Sequence, residues 1–223
     1  MIASRFELVI FDCDGVLVDS EAIISRAHAE VLTVCGYPIT AEVLVERFCG
    51  MSDADMLEVI EREWGRVLPP SYTERVGAMI ELGFCHSLTA IEGVAEALDS
   101  LPVAVCVASS SSLEQIRQKL KITGLLGRFG EHLFSATMVA RGKPAPDLFL
   151  YAAHHLTTAP DRCLVIEDSP AGIDAALAAG MTAIGFFGGS HCGPEHGARL
   201  EKHGAPLVID DMRGLATAIA KLI

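Results

Sequence analysis

Lysine is missing from the first 118 residues; its five copies stand at 119, 121, 143, 202 and 221. Cations are scarce overall, with 17 Lys and Arg against 29 Asp and Glu, a formal net charge of −12. General binding to a nucleic-acid backbone needs clustered cations, and no basic patch is evident. An anionic membrane surface is disfavoured on the same ground. Also missing is any CxxC pair: the seven cysteines, at 13, 35, 49, 85, 106, 163 and 192, are odd in number and scattered. That usage fits a reducing, cytoplasmic setting better than a secreted disulfide framework. The first residues, MIASRFELVIFDCDG, hold only a short apolar run with acids in it, unlike a secretory leader. Repeats, low-complexity tracts and long linkers are absent as well.

What is present is a chain of 223 residues, 51% of them apolar. That is enough to build a buried core and excludes general disorder. Short apolar, β-branched runs recur, each ending in polar residues: Phe6 to Asp12, Val103 to Ala108, Cys163 to Ile166, Thr182 to Phe187 and Pro206 to Ile209, with His132 to Ala136 a weaker sixth. They read as buried parallel strands. Helical patterns at Leu113 to Leu120, Pro146 to Leu156 and Pro170 to Ala179 alternate with them. The apolar stretch from Ala171 to Gly189 reads as helix, turn and strand, because Asp174 and glycines divide it. The alternation predicts an α/β fold with a doubly wound parallel sheet. Between Val16 and Ser87 no strand pattern occurs. Ser20 to Val34, Ala41 to Phe48, Asp53 to Trp64 and Tyr72 to Leu82 have helical spacing instead. Residues 1–15 and 88–223 are therefore expected to form the core, and 16–87 a helical lid inserted after the first strand.

In such a sheet, ligands bind at the carboxyl ends of the strands. Four segments bring chemistry there. Asp12-Cys13-Asp14-Gly15 offers two carboxylates suited to a nucleophile and a proton donor, or to holding a hard cation. Ser109 to Ser112 combines hydroxyls with a helix start, an anion-binding arrangement. Lys143, between Gly142 and Pro144 just before a helix, presents a point charge. Glu167-Asp168-Ser169 places carboxylates beside another helix start. Taken singly, each also reads as a turn, a cap or a surface charge. Their order on successive strands gives them weight together.

These stretches, FDCDGVLVDSE (11–21), VASSSS (107–112), GKPAPDLF (142–149) and IEDSPAGIDAALAAG (166–180), resemble the haloacid dehalogenase superfamily. The similar branch holds β-phosphoglucomutase and small sugar-phosphate phosphatases, and the likeness spans essentially the whole chain. It implies a Rossmann-like core with a helical cap. It also implies a Mg²⁺-dependent phosphatase of a small phosphorylated metabolite, a sugar or sugar-acid phosphate, acting through an aspartyl-phosphate. Asp12 matches the nucleophile. Asp14 matches the acid that protonates the leaving oxygen and then activates water, its backbone carbonyl binding the metal. Ser109 matches the hydroxyl on the phosphoryl oxygens, with Ser110 beside it for substrate. Lys143 matches the lysine that steadies nucleophile and phosphoryl charge. Asp168 matches the metal carboxylate, with Glu167 next to it at the metal. The cap loop Gly50-Met51-Ser52 is expected to face the substrate.

The same resemblance narrows the chemistry. Asp14 favours phosphoryl transfer over dehalogenation, and a lid without lysine argues against a phosphonoacetaldehyde-type Schiff base. β-Phosphoglucomutase grips a second phosphate with a lid arginine and a Lys-Asn pair, where this chain has Asp53, Ser112 and Leu113. A mutase is thus the alternative, and a non-catalytic phosphometabolite binder a more distant one. Cys13 reads as a packed small residue. His191 to His196 reads as a surface loop in preference to a zinc site. A monomer or small homo-oligomer is expected.

Overall fold

The computed structural model describes residues 5–48 and 51–222. Six parallel strands form one sheet: β1 (Leu8–Phe11), β2 (Ala104–Ser109), β3 (Leu133–Ser135), β4 (Cys163–Glu167), β5 (Thr182–Phe186) and β6 (Leu207–Ile209), in the order β3-β2-β1-β4-β5-β6. The order reverses between β1 and β4, and that switch point is where a crevice opens in doubly wound sheets. Strand pleating sorts the residues of β1 to opposite faces. Val9 and Phe11 enter one apolar cluster with Val107, Leu164 and Ile166. Leu8 and Ile10 enter another with Cys106, Cys163 and Val165. Both faces are buried, so the strands read as continuous apolar runs.

Four helices follow β1 directly: α1 (Glu21–Cys35), α2 (Ala41–Phe48), α3 (Asp53–Trp64) and α4 (Tyr72–Ser87). They share an apolar cluster of their own, including Val31, Leu32, Leu44, Ile60 and Val76. Val16, Leu17 and Val18 pack instead with the first sheet cluster, as do Phe84 and Leu88. Both ends of this helical stretch therefore pack with the sheet. Chain reversals follow local chemistry: Gly36 and Gly65 adopt the left-handed conformation after α1 and α3, where a side chain would be strained.

The remaining helices are α5 (Val94–Ser100), α6 (Leu113–Ile122), α7 (Leu126–Phe129), α8 (Asp147–His155), α9 (Pro170–Ala178), α10 (His196–Lys202) and α11 (Leu215–Ala220). Ser112 caps α6 in a reciprocal box with Gln115. Ser169 caps α9, whose first residue is Pro170. Of these seven, α5, α7, α10 and α11 are short and carried no helical signal in the sequence.

One expectation is corrected. The His191–His196 segment is a surface loop only in its middle: Gly193, Pro194 and Glu195 are exposed, but the His191 side chain is fully buried against Asp168, and His196 is buried too. His196 Nε2 shares a 2.5 Å hydrogen bond with the Asp168 backbone oxygen. The apolar bodies of the imidazoles fill the space beside the strand ends, while their nitrogens find polar partners there. Ligand atoms of His191, Cys192 and His196 lie within 4.8 Å of one another.

Candidate active site

Strand register brings the four motif segments together. Phe11 pairs with Val107 on one side and Ile166 on the other. Asp12 continues the strand, donating its N–H to the Ile166 carbonyl at 3.0 Å. Gly15 turns the chain back with φ of +74°; a Cβ there would lie 1.8 Å from Asp168 Oδ2, so only glycine fits. Asp12, Asp14, Ser109, Lys143 and Asp168 all line one cavity of about 240 Å³. That is small beside the roughly 300–1,000 Å³ usual for drug-sized ligands.

Lys143 is buried and donates to Asp12 Oδ1 at 2.5 Å and to Glu167 Oε1. Glu167 is held in turn by the N–H and hydroxyl of Ser169, at 2.9 and 2.8 Å. Burial raises the Asp12 carboxyl well above its usual range; Lys143 opposes this, while Glu167, Asp168 and Asp14 add to it. Asp168 is raised for the same leading reason, burial, with Glu167 adding to it.

Asp14 lies on the opposite course. Burial alone would raise it, but Lys119 and three hydrogen bonds outweigh burial and lower it. Lys119 Nζ contacts Oδ1 and Oδ2 of Asp14 at 2.5 and 2.6 Å and Ser111 Oγ at 2.8 Å. Ser20 donates to Asp14 Oδ1 at 2.5 Å, and Ser111 to Oδ2 at 2.9 Å. Ser109 Oγ approaches the same oxygen at 3.4 Å and accepts the Ser111 N–H at 3.1 Å.

Lys119 is the residue that sequence reasoning missed. It is 1% exposed, on α6. A signal was available: Lys119 falls three residues after Ile116 and beside Leu120, on the face of α6 that turns to the core. Ser110, Met51 and Ser52 line the cavity, and Ser52 also caps α3 by accepting the Asp55 N–H. Gly50 lies outside the described residues. Cys13 is fully buried, and burial pushes its thiol up, as fits a packing residue.

The carboxylates of Asp12, Asp14, Glu167 and Asp168 outnumber the two ammonium groups they face, Lys119 and Lys143, and the buried His191 imidazole stands beside Asp168. Asp168 Oδ2 is buried and accepts no hydrogen bond; His191 Nε2 stands 3.1 Å away without the alignment for one. An orphaned carboxylate oxygen in an acidic cluster is the donor set a hard divalent cation takes. The residues present therefore fit Mg²⁺.

A doubly wound sheet with paired aspartates after its first strand, a serine after its second and a buried lysine after its third defines a carboxylate-based site at the strand ends of an α/β fold. The comparisons agree with that class: residues 9–186 match the haloacid dehalogenase-like hydrolases, and the chain belongs to that family. A 6-phosphogluconate phosphatase of Escherichia coli is 32% identical over 86% of this chain and 87% of its own. The crystal structure of a haloacid dehalogenase-like protein of unknown function from Agrobacterium tumefaciens is 41% identical, with a TM-score of 0.86, covering 97% of this chain and 99% of its own. A family hydrolase from Deinococcus radiodurans, solved with bound phosphate and sodium, is 35% identical, with a TM-score of 0.79, over 98% of this chain and 96% of its own.

Proposed function

We propose that the chain hydrolyses phosphate monoesters of small metabolites of the sugar-phosphate kind, through a phosphoryl group carried on Asp12. The observation that carries this is the Asp12–Lys143 contact beside a second, separately held aspartate. In the first step an Asp12 oxygen attacks phosphorus as the ester P–O bond breaks, and Asp14 gives its proton to the leaving oxygen. In the second, water attacks the phosphoryl group, Asp14 takes the water proton, and phosphate departs from a restored Asp12. Lys119 favours the ionised form of Asp14, which suits the second step; the acid role requires that pair to loosen as substrate enters. Ser109 lines the cavity, where its hydroxyl would take a phosphoryl oxygen.

Asp12, Asp168 and the Asp14 backbone carbonyl, with Glu167 beside them, would hold Mg²⁺, whose charge offsets the repulsion between these carboxylates and a phosphate dianion. Uncatalysed hydrolysis of such esters is slow enough to call for up to ~10²¹-fold acceleration, so charge neutralisation at the site must be strong. The E. coli relative acts on a phosphorylated sugar acid by its name, and the Deinococcus structure binds phosphate; both support the reading. Asp53, Ser112 and Leu113 support hydrolysis over a mutase, since none is a cation for a second phosphate. We take the helices from α1 to α4 as the cap, and the six free cysteines among the described residues as consistent with a cytoplasmic setting.

Asp12→Asn is the direct test. The expected result is loss of p-nitrophenyl phosphate turnover with an unchanged circular dichroism spectrum. Normal turnover by that variant ends the assignment of Asp12.

A further inference from the structure

The cavity has two walls of different chemistry. On the sheet side both lysines are already engaged, Lys143 by Asp12 and Glu167 and Lys119 by Asp14. On the helical side the polar lining residues are Glu21, Ser25, His28, Ser52 and Asp53. The five arginines of the insert, at 26, 47, 62, 66 and 75, are not among the lining residues, and Arg47 is drawn aside by Glu63 at 2.7 Å. Among the described residues, then, the far end of a bound monophosphate meets no cation left over from the sheet-end carboxylates.

It meets His28 instead. This side chain is 3% exposed, and its Nδ1 shares a 2.7 Å hydrogen bond with the Tyr72 hydroxyl. The other ring nitrogen, Nε2, is buried without a hydrogen-bond partner and lies 3.7 Å from Asp53 Oδ1. Buried polar nitrogens are nearly always satisfied, so one left open on a ligand cavity points to a partner supplied by the ligand. The Asp53 side chain is 61% exposed and free to turn toward the same point.

We infer that this end of the cavity recognises the uncharged, hydroxylated end of a sugar or polyol monophosphate, with His28 and Asp53 as the specificity residues. The inference rests on the phosphatase reading and narrows it. A hydroxyl both donates and accepts, so it completes His28 Nε2 in either tautomer, and where Nε2–H is the donor the hydroxyl's own proton is left for Asp53. A carboxylate or second phosphate only accepts, and it would stand beside the Asp53 charge. Burial holds the His28 imidazole below its usual range against the smaller pull of Asp53, which disfavours a counter-charge there. This chain thus separates from its 6-phosphogluconate-named relative in what it prefers, not in what it does to phosphate.

The test is a matched pair of substrates differing only at C1: a hexitol 6-phosphate, with CH₂OH, and 6-phosphogluconate, with a carboxylate. With Mg²⁺ present, kcat/KM is expected to favour the hexitol ester at least tenfold. The same order is expected when each competes against p-nitrophenyl phosphate. Asp53→Arg should move the ratio at least tenfold toward the acid. His28→Asn should keep more of the wild-type ratio than His28→Leu does. Equal turnover of the two esters, or preference for the acid, overturns the inference while leaving the phosphatase reading intact. A ratio unmoved by both Asp53→Arg and His28→Leu overturns the residue assignment. No turnover of any ester, p-nitrophenyl phosphate included, brings down both readings.

Discussion

Lys119 and Asp14 form a buried ion pair whose members depend on each other. Removing one partner of such a pair leaves a desolvated charge and costs about 3–5 kcal/mol. Lys119→Met is therefore expected to lower unfolding free energy in urea by that order. Lys119→Met/Asp14→Asn should recover much of it, because neither charge is then stranded. A double variant as unstable as the single would refute the coupling. Activity should respond as well: Lys119→Met releases Asp14 from its fixed position, and mis-set acid–base catalysis typically costs 10²–10⁴-fold, read as a fall in kcat on an alkyl phosphate. The contrast with Lys143 shows what a sequence reveals at this scale. Lys143 stood between Gly and Pro before a helix, a placement that asks for an explanation. Lys119 stood among polar neighbours in LEQIRQKLKI, where a lysine ordinarily covers a solvated face. Its spacing from Ile116 hints at burial, but the partner that makes it a site residue, Asp14, is 105 residues away.

At the scale of elements, the junction of β4 and α9 shows how tightly backbone and site are built together. Ser169 caps α9 through the Gly172 N–H at 3.0 Å and also binds Glu167. A Cβ on Gly172 would stand 1.9 Å from the Glu167 carboxyl carbon. Gly172→Ala must then push Glu167 off Lys143 or shift the first turn of the helix. The expected cost is about 1–3 kcal/mol or more, the range for overpacked interiors, with reduced turnover. Wild-type stability by chemical denaturation would show that Glu167 can turn away freely. Elements with strong periodicity or caps were legible from sequence: β1, β4, β5, α6 and α9 fall within a residue or two of their predicted bounds. The short helices α5, α7 and α10 were not, since seven residues or fewer give too little pattern. The His191–His196 segment misled for a different reason. Its glycines and polar residues look like a loop, as 193–195 are, and the burial of His191 and His196 depends on Asp168 and Gly15, which are near them only in the fold.

For the molecule as a whole, a net charge of −12 and a site of four carboxylates are set against a dianionic substrate. The balance should be visible in stability even without substrate. Asp12 and Asp168 are held above the usual carboxyl value of 3.8 by burial and mutual repulsion. Above pH 3.8 these two groups bind more protons in the metal-free folded state than in the unfolded chain, and their contribution to stability falls as pH rises. Asp14 acts in a separate window: its carboxyl is lowered, so its contribution is present above 3.8 and lost only in stronger acid. A divalent cation at these carboxylates favours their ionised forms and should flatten the upper slope. Melting temperatures between pH 5 and 8 are expected to decline with pH in EDTA and to decline less in Mg²⁺. At 100 times the dissociation constant the ion adds about 2.7 kcal/mol. For a chain of this length that is roughly 5–10 °C, the gap widening toward pH 8. Asp168→Asn should remove most of the Mg²⁺ response. Parallel pH profiles with and without the ion would mean that it binds elsewhere, and that these carboxylates are balanced by the two lysines alone.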